Sequence, residues 1–223
     1  MFSSPIIALH RWPEQTWLRC SLFLQPDWEN YQCTLALPKH AQRAAFAVRA
    51  FNVELAHVQD MVSSPQIGQM RFQFWKDALD AIFKVSKRMV AKTPQSPVAL
   101  ELEAAASKGC VSGGDTPLIL KARESVLGYH PFASLPSMLD YMQASVGTVL
   151  QLVLTCCVPG QPMPEDTLKA AYHIGTAVGL CNTIRSIPVH AARNRIGYPP
   201  QDIPKRPCTA QETFCSETTG PKN

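Results

Sequence analysis

Apolar residues recur at helical spacing along most of the chain. Over residues 38–62 they follow one another in steps of three and four, which is the pattern of a helix that faces a core. Pro38 suits the first turn of a helix, because the N–H group that proline lacks has no partner there. The pattern therefore predicts a core-facing helix, with an apolar stripe made of Ala44, Val48, Phe51, Leu55, Val58 and Val62.

The same spacing continues further along the chain. It predicts helices over residues 66–90, 98–108, 116–127, 134–157 and 164–187, separated by turns that contain proline or glycine. Gly175 and Gly179 share one face of the last helix, which indicates either a closely packed neighbouring helix or room for a ligand. Pro188 is expected to end or kink that helix. No segment alternates with a period of two, so the predicted fold class is all-α.

Composition excludes several classes of protein. The chain has 223 residues, of which 46% are hydrophobic and only 17% charged, so it can bury a substantial core. A net charge of +4 is too mild to indicate nucleic-acid binding. No run approaches the roughly 18 consecutive apolar residues that a membrane-spanning helix needs. The eight cysteines lack the paired spacing of a zinc site, and we interpret them as free thiols.

The two ends of the chain differ from the middle. Residues 1–26 contain a single acid, Glu14, together with Arg11, Arg19 and three serines. This composition predicts an N-terminal lead-in, and a degenerate mitochondrial targeting segment is the alternative. Residues 203–223 are rich in proline and threonine, which predicts a disordered tail. The helical domain is therefore assigned to residues 27–202.

Two passages of this domain resemble the squalene/phytoene synthase family. Residues 37–60, LPKHAQRAAFAVRAFNVELAHVQD, are similar to the helix that carries the family pattern A-F-C-R-x-x-D-D-x-V-D. Residues 175–199, GTAVGLCNTIRSIPVHAARNRIGYP, are similar to the family run G-x-A-x-Q-L-x-N-I-L-R-D-V-x-E-D and the basic segment after it. The resemblance implies an isoprenoid-synthase-like helical bundle, here expected to lack the last helices of the family.

The resemblance also implies a metal site, and this sequence departs from it. Family enzymes hold Mg²⁺ between two aspartate clusters on facing helices, and the metal ions hold a diphosphate. Only one of the four principal metal-binding aspartates remains here. We therefore expect no catalytic residue, cofactor or metal ion at the degenerate motif positions, which are Val53, Ala56, His57, Asp60, Arg185, Ser186, Val189 and His190. A zinc site built on the two histidines is an alternative.

The pattern is most similar to a mitochondrial, non-catalytic branch of the family. That resemblance implies a protein on the matrix side of the inner membrane, peripherally associated with it. It further implies early action in assembly of the membrane arm of respiratory complex I (NADH:ubiquinone oxidoreductase), with complex I subunits or assembly intermediates as partners. A lipid or isoprenoid tail is a compatible ligand. The alternative function is an active isoprenoid diphosphate transferase, of the phytoene or squalene synthase type, with an altered metal site.

Overall fold

The structure, a computed structural model, describes residues 27–62, 64–85, 93–128 and 130–193. In these ranges the regular structure is helical throughout, as predicted. The elements are α1 (Trp28–Leu35), α2 (Lys39–Met61), α3 (Pro65–Val85), α4 (Pro97–Ser107), α5 (Asp115–Ser125), α6 (Leu135–Met142), a π-helical segment (Gln143–Gly147), α7 (Thr148–Cys157) and α8 (Glu165–Ala192). The predicted lead-in, 1–26, and the predicted tail, 203–223, lie outside the described residues. No helix in the described ranges combines the length and the apolarity that crossing a membrane requires.

Helix α2 forms the centre of the bundle. It packs mainly against α4 and α7, and the stripe predicted for residues 38–62 is buried up to Val58. Several alanines on α2 are fully buried, and their small side chains let the neighbouring helices approach closely. On the same helix the Phe51 ring meets the edge of Trp75 from α3, with ring centroids 5.0 Å apart. The helix predicted over residues 38–62 is therefore confirmed.

A buried ion pair joins α2 to α4. The Arg43 guanidinium donates from Nε to Glu101 Oε2 at 2.7 Å and from Nη2 to Glu101 Oε1 at 2.9 Å. Glu101 is only 3% exposed, so its charge depends on this bidentate partner. The pair therefore joins two helices that both contribute to the core.

The helix predicted over residues 134–157 is interrupted. It begins at a capping box in which Ser134 and Ser137 bond reciprocally. The π-helical segment then separates α6 from α7, and the Thr148 hydroxyl donates to the Gln143 carbonyl oxygen at 3.3 Å. Hydrophobic spacing did not reveal the interruption, because steps of three and four can be read through the whole segment. The extra residue of the π-helical turn rotates the positions that follow it, and Leu135, the first residue of that apparent stripe, is 45% exposed.

Two other boundaries differ from the sequence prediction. The last helix was expected to end near Ile187, but α8 continues through Pro188 to Ala192. Proline removes a single backbone hydrogen bond, the one to the Ile184 carbonyl, and the bonds on both sides of it hold the helix together. Helix α1 was not predicted at all. Its eight residues are too few to establish a periodic pattern, although Thr34 is fully buried.

The two glycines on α8 face the π-helical segment and its surroundings. A Cβ atom added at Gly175 would overlap the Gly147 backbone, with the Gly147 nitrogen only 2.8 Å away. One added at Gly179 would lie 2.8 Å from Met142 Cγ. Close packing of a neighbouring helix, one of the two explanations considered above, therefore accounts for both glycines.

We predict that Gly175→Ala destabilises the protein. Alanine favours a helix by about 1 kcal/mol over glycine, but overpacking against backbone atoms costs about 1–3 kcal/mol and cannot be relieved by a side-chain rotation. Urea unfolding should therefore show a lower free energy of unfolding for this variant than for the wild type.

The matched control is Gly114→Ala, since a Cβ there meets only the Ser112 hydroxyl at 3.8 Å. Gly114 is the N-cap of α5, where alanine is less favourable than glycine, so we expect a smaller loss of stability than in Gly175→Ala. A Gly175→Ala protein as stable as this control would contradict the close contact between α8 and the π-helical segment.

Candidate functional site

A pocket of about 500 Å³ lies between one face of α2 and the side of α8 that faces it. The π-helical segment, α7 and α5 supply further walls, and the start of α1 lies at its edge. Residues at helical spacing on α2 point the same way, so positions 49, 52, 53, 56 and 57 line the pocket together. Its apolar wall consists of Val53, Ala56, Val146, Val149, Leu150, Ile174 and Val178.

The structure brings together five of the eight degenerate motif positions. These residues line the pocket from α2 and α8: Val53, Ala56, His57, Arg185 and Ser186. The other three do not line it. Val189 is 53% exposed, His190 is half-buried on the last turn of α8, and the Asp60 carboxylate bonds to Arg193 Nη1 at 3.4 Å.

The residues at the motif positions do not fit magnesium. Mg²⁺ requires oxygen ligands in near-octahedral geometry. The α2 positions present an alkyl wall and the His57 ring, and the surviving acid, Asp60, is engaged by Arg193 rather than directed into the pocket. Within the described residues there is no group of three or more histidine, cysteine, aspartate or glutamate side chains that could hold a metal ion. The zinc site considered as an alternative therefore has no set of ligands there, and of its two histidines His57 lines the pocket and His190 does not.

Two arginines that the sequence analysis did not single out dominate the pocket. Arg49, from α2, is 91% removed from solvent and donates to the Asn30 side-chain oxygen. Arg123, from α5, donates to the Tyr141 hydroxyl at 2.7 Å and to Asn52 Oδ1 at 2.9 Å. In both side chains Nε is buried without a hydrogen-bond partner. Neither arginine belongs to a motif, so only the fold reveals that they share a site.

The charge in the pocket is only partly compensated. Three arginines line it against two carboxylates, those of Asp27 and Glu29. Arg185 pairs with Glu29 at 3.0 Å, which lowers the pKa of the Glu29 carboxyl. Burial lowers the pKa of the Arg49 guanidinium, and the nearby charge of Asp27 opposes that effect. Positive charge therefore remains on the α5 side, at Arg123.

Nucleophilic chemistry by cysteine has no support in the described residues. All five cysteines placed there are free thiols, as interpreted from the sequence. Burial raises the pKa of Cys156 to about 12, and it raises the pKa of Cys110 and Cys157 as well. Such thiols stay protonated near neutral pH and are poor nucleophiles. None of the five lines the pocket.

Comparison with known proteins agrees with this architecture. The sequence model of the family described as squalene/phytoene synthase matches residues 24–220. The chain belongs to the squalene/phytoene synthase family. Its structure is similar to that of squalene synthase HpnC from Alicyclobacillus acidocaldarius, with a TM-score of 0.68 over 84% of this chain and 67% of that one. The two sequences are 18% identical, so the likeness establishes the fold.

Curated family members that match this chain carry the name NADH dehydrogenase (ubiquinone) complex I, assembly factor 6. The protein from Mus musculus is 35% identical over 193 residues, and the one from Homo sapiens is 33% identical over 193 residues. The aligned region is 86% of this chain and 55% of each relative. The chain thus spans about half the length of the curated relatives it matches. The resemblance stated from the motifs is confirmed.

Glu54 lies on α2 beside the site, and burial raises the pKa of its carboxyl to about 7, although Arg71 partly opposes the shift. The Glu54 side chain is half-buried. A pKa raised by folding favours the protonated acid in the native state. Its contribution to stability is complete below the ordinary carboxyl pKa of 4.5 and is lost as the pH rises through about 7.

We predict that Glu54→Gln raises the free energy of unfolding at pH 8 by about 1–2 kcal/mol, a figure reduced for partial exposure to solvent. At pH 5 the two proteins should be nearly equally stable, because Glu54 is then protonated. Urea titrations at both pH values measure the difference. Glu165→Gln is the control, since Glu165 is 80% exposed. An equal effect of Glu54→Gln at pH 5 and pH 8 would contradict the shifted pKa.

Proposed function

We propose that this chain takes part in the assembly of mitochondrial respiratory complex I. The proposal rests on the curated relatives, which bear the name of a complex I assembly factor and match 86% of the chain. The absence of the motif carboxylates supports it, because prenyl transfer in this family depends on the metal ions that those carboxylates hold. The partners would be complex I subunits or assembly intermediates that build the membrane arm at an early stage.

In this proposal the family fold serves as a scaffold without catalysis. In the family reaction, ionisation of an allylic diphosphate needs a metal cation at the leaving diphosphate. Oxygen ligands of the protein must hold that cation. The pocket offers alkyl groups at Val53 and Ala56 instead. We also propose a mitochondrial location, on the matrix side of the inner membrane and peripherally associated with it.

The apolar wall of the pocket supports a further part of the proposal, a lipid or isoprenoid tail as ligand. A volume of about 500 Å³ is within the range of small-molecule sites. Val53, Val149 and Ile174 provide the kind of surface on which an alkyl chain packs. Mass spectrometry of the purified full chain should detect a co-purified lipid, and a ligand-free protein would count against this part.

Deletion of the gene for this chain tests the assembly role. We expect native gels of mitochondrial membranes to show a selective loss of complex I, with the other respiratory complexes at normal levels. Expression of the wild-type chain should restore complex I, and so should Arg71→Gln, an exposed substitution outside the pocket. Normal complex I in the deletion strain would refute the proposal.

A second assay tests the absence of catalysis. Incubation of the purified chain with farnesyl or geranylgeranyl diphosphate and Mg²⁺ should release no more diphosphate than a buffer blank. Release that depends on Mg²⁺ would favour the alternative, an active isoprenoid diphosphate transferase with an altered metal site.

A further inference from the structure

The guanidinium groups of Arg49 and Arg123 have charge and hydrogen-bond donors to which the proposed assembly role assigns no partner. A buried guanidinium is costly unless an anion compensates it. Both side chains donate to neutral oxygens, those of Asn30, Asn52 and Tyr141. Each keeps a buried Nε without a partner. Three arginines line the pocket against two carboxylates, so the site has one positive charge and two buried N–H donors beyond what its protein partners satisfy.

The arrangement of these partners holds the donors in place. Asn52 lies three residues after Arg49, one turn further along α2, and accepts from Arg123 of α5. The Arg123 guanidinium also lies over the Tyr141 ring, 5.7 Å from its centroid. Four helices, α1, α2, α5 and α6, thus hold the two cations at the pocket before any ligand arrives, which reduces the entropic cost of binding.

We propose that Arg49 and Arg123 bind a phosphate group directly, without a metal ion. Phosphate supplies negative charge and several acceptor oxygens, and arginine is the side chain that best matches its geometry. The acids nearest the site fill this role only in part. Glu29 is paired with Arg185 at 3.0 Å. Both Asp27 oxygens accept from the neutral Asn30 amide, at 2.9 and 3.0 Å, so the carboxylate keeps its charge and offsets part of the charge of Arg49. This leaves Arg123 without an acid of its own among the residues that line the pocket.

Two kinds of ligand carry such a phosphate group. One is free inorganic phosphate, and the other is an amphiphile with a phosphate headgroup. In the second case the apolar wall at Val146, Val149 and Leu150 would accept the chain attached to the headgroup. That version rests on the tail-binding pocket proposed above, whereas binding of inorganic phosphate does not. The two proposals, and the assembly role, can therefore fail separately.

Isothermal titration of the full chain in EDTA tests the site, with inorganic phosphate, octyl phosphate and octyl glucoside as probes. We expect both phosphates to bind, with affinity that falls as NaCl is raised. Arg123→Gln should weaken phosphate binding at least tenfold, and Arg123→Lys, which keeps the charge, should weaken it less. Arg71→Gln is the matched control, because Arg71 is exposed on α3, and it should change the affinity less than twofold.

Arg49→Gln is the second variant and should weaken binding to a similar extent, with circular dichroism to confirm folding. Arg123 is only half-buried, so its variants carry the test if Arg49→Gln unfolds. Tighter binding of octyl phosphate than of inorganic phosphate identifies a lipid headgroup, and equal binding identifies the free ion.

Three outcomes would overturn the proposal. They are phosphate binding that requires Mg²⁺, binding that Arg123→Gln leaves unchanged, and no binding of either phosphate. Binding of octyl glucoside alone would refute the phosphate site and leave the tail-binding pocket intact.

Discussion

The pocket depends on one steric constraint, the contact between the backbones of α8 and the π-helical segment. Gly175 and Gly147 meet where no side chain fits between them. This contact brings α8 across the face of α2 at the height of the motif positions, so that Ser186 and Arg185 lie opposite His57. The extra residue in the π-helical turn also shifts the backbone that precedes α7. The shape of the site is thus set by backbone packing, and its chemistry is set by the side chains around it.

That chemistry is the reverse of the one the family motif implies. Carboxylates would make the α2 face a platform for cations. Here valine and alanine occupy that face, and arginines from positions outside the motif supply positive charge. The surviving Asp60 carboxylate pairs with Arg193. The pocket on this helical scaffold is thus lined by three arginines and two carboxylates instead of a cluster of aspartates, which gives a physical reason to consider the fold separately from the prenyl transfer chemistry of its family.

Both ion pairs that involve motif residues are exposed. The side chains of Arg185 and Glu29 are about two-thirds exposed, and those of Arg193 and Asp60 are about half exposed. Ion pairs as exposed as these contribute little to stability. The core relies instead on α2, whose alanines and Phe51 are enclosed by α4, α7 and Trp75. These two exposed pairs can therefore change charge with little effect on the fold, because the core residues lie on another face of α2.

The sequence by itself determined the all-α class, the core stripe of α2, the family resemblance and the loss of the acidic motif residues. These features depend on spacing within one helix or on the identity of single residues. Tertiary structure alone decided that Arg49 and Arg123 share a pocket, that residues 134–157 break at a π-helical turn, and that Asp60 meets Arg193. Arg49 and Arg123 are 74 positions apart in the chain. Periodicity shows which face of a helix is apolar, whereas the side chains that meet across a pocket depend on how distant helices cross.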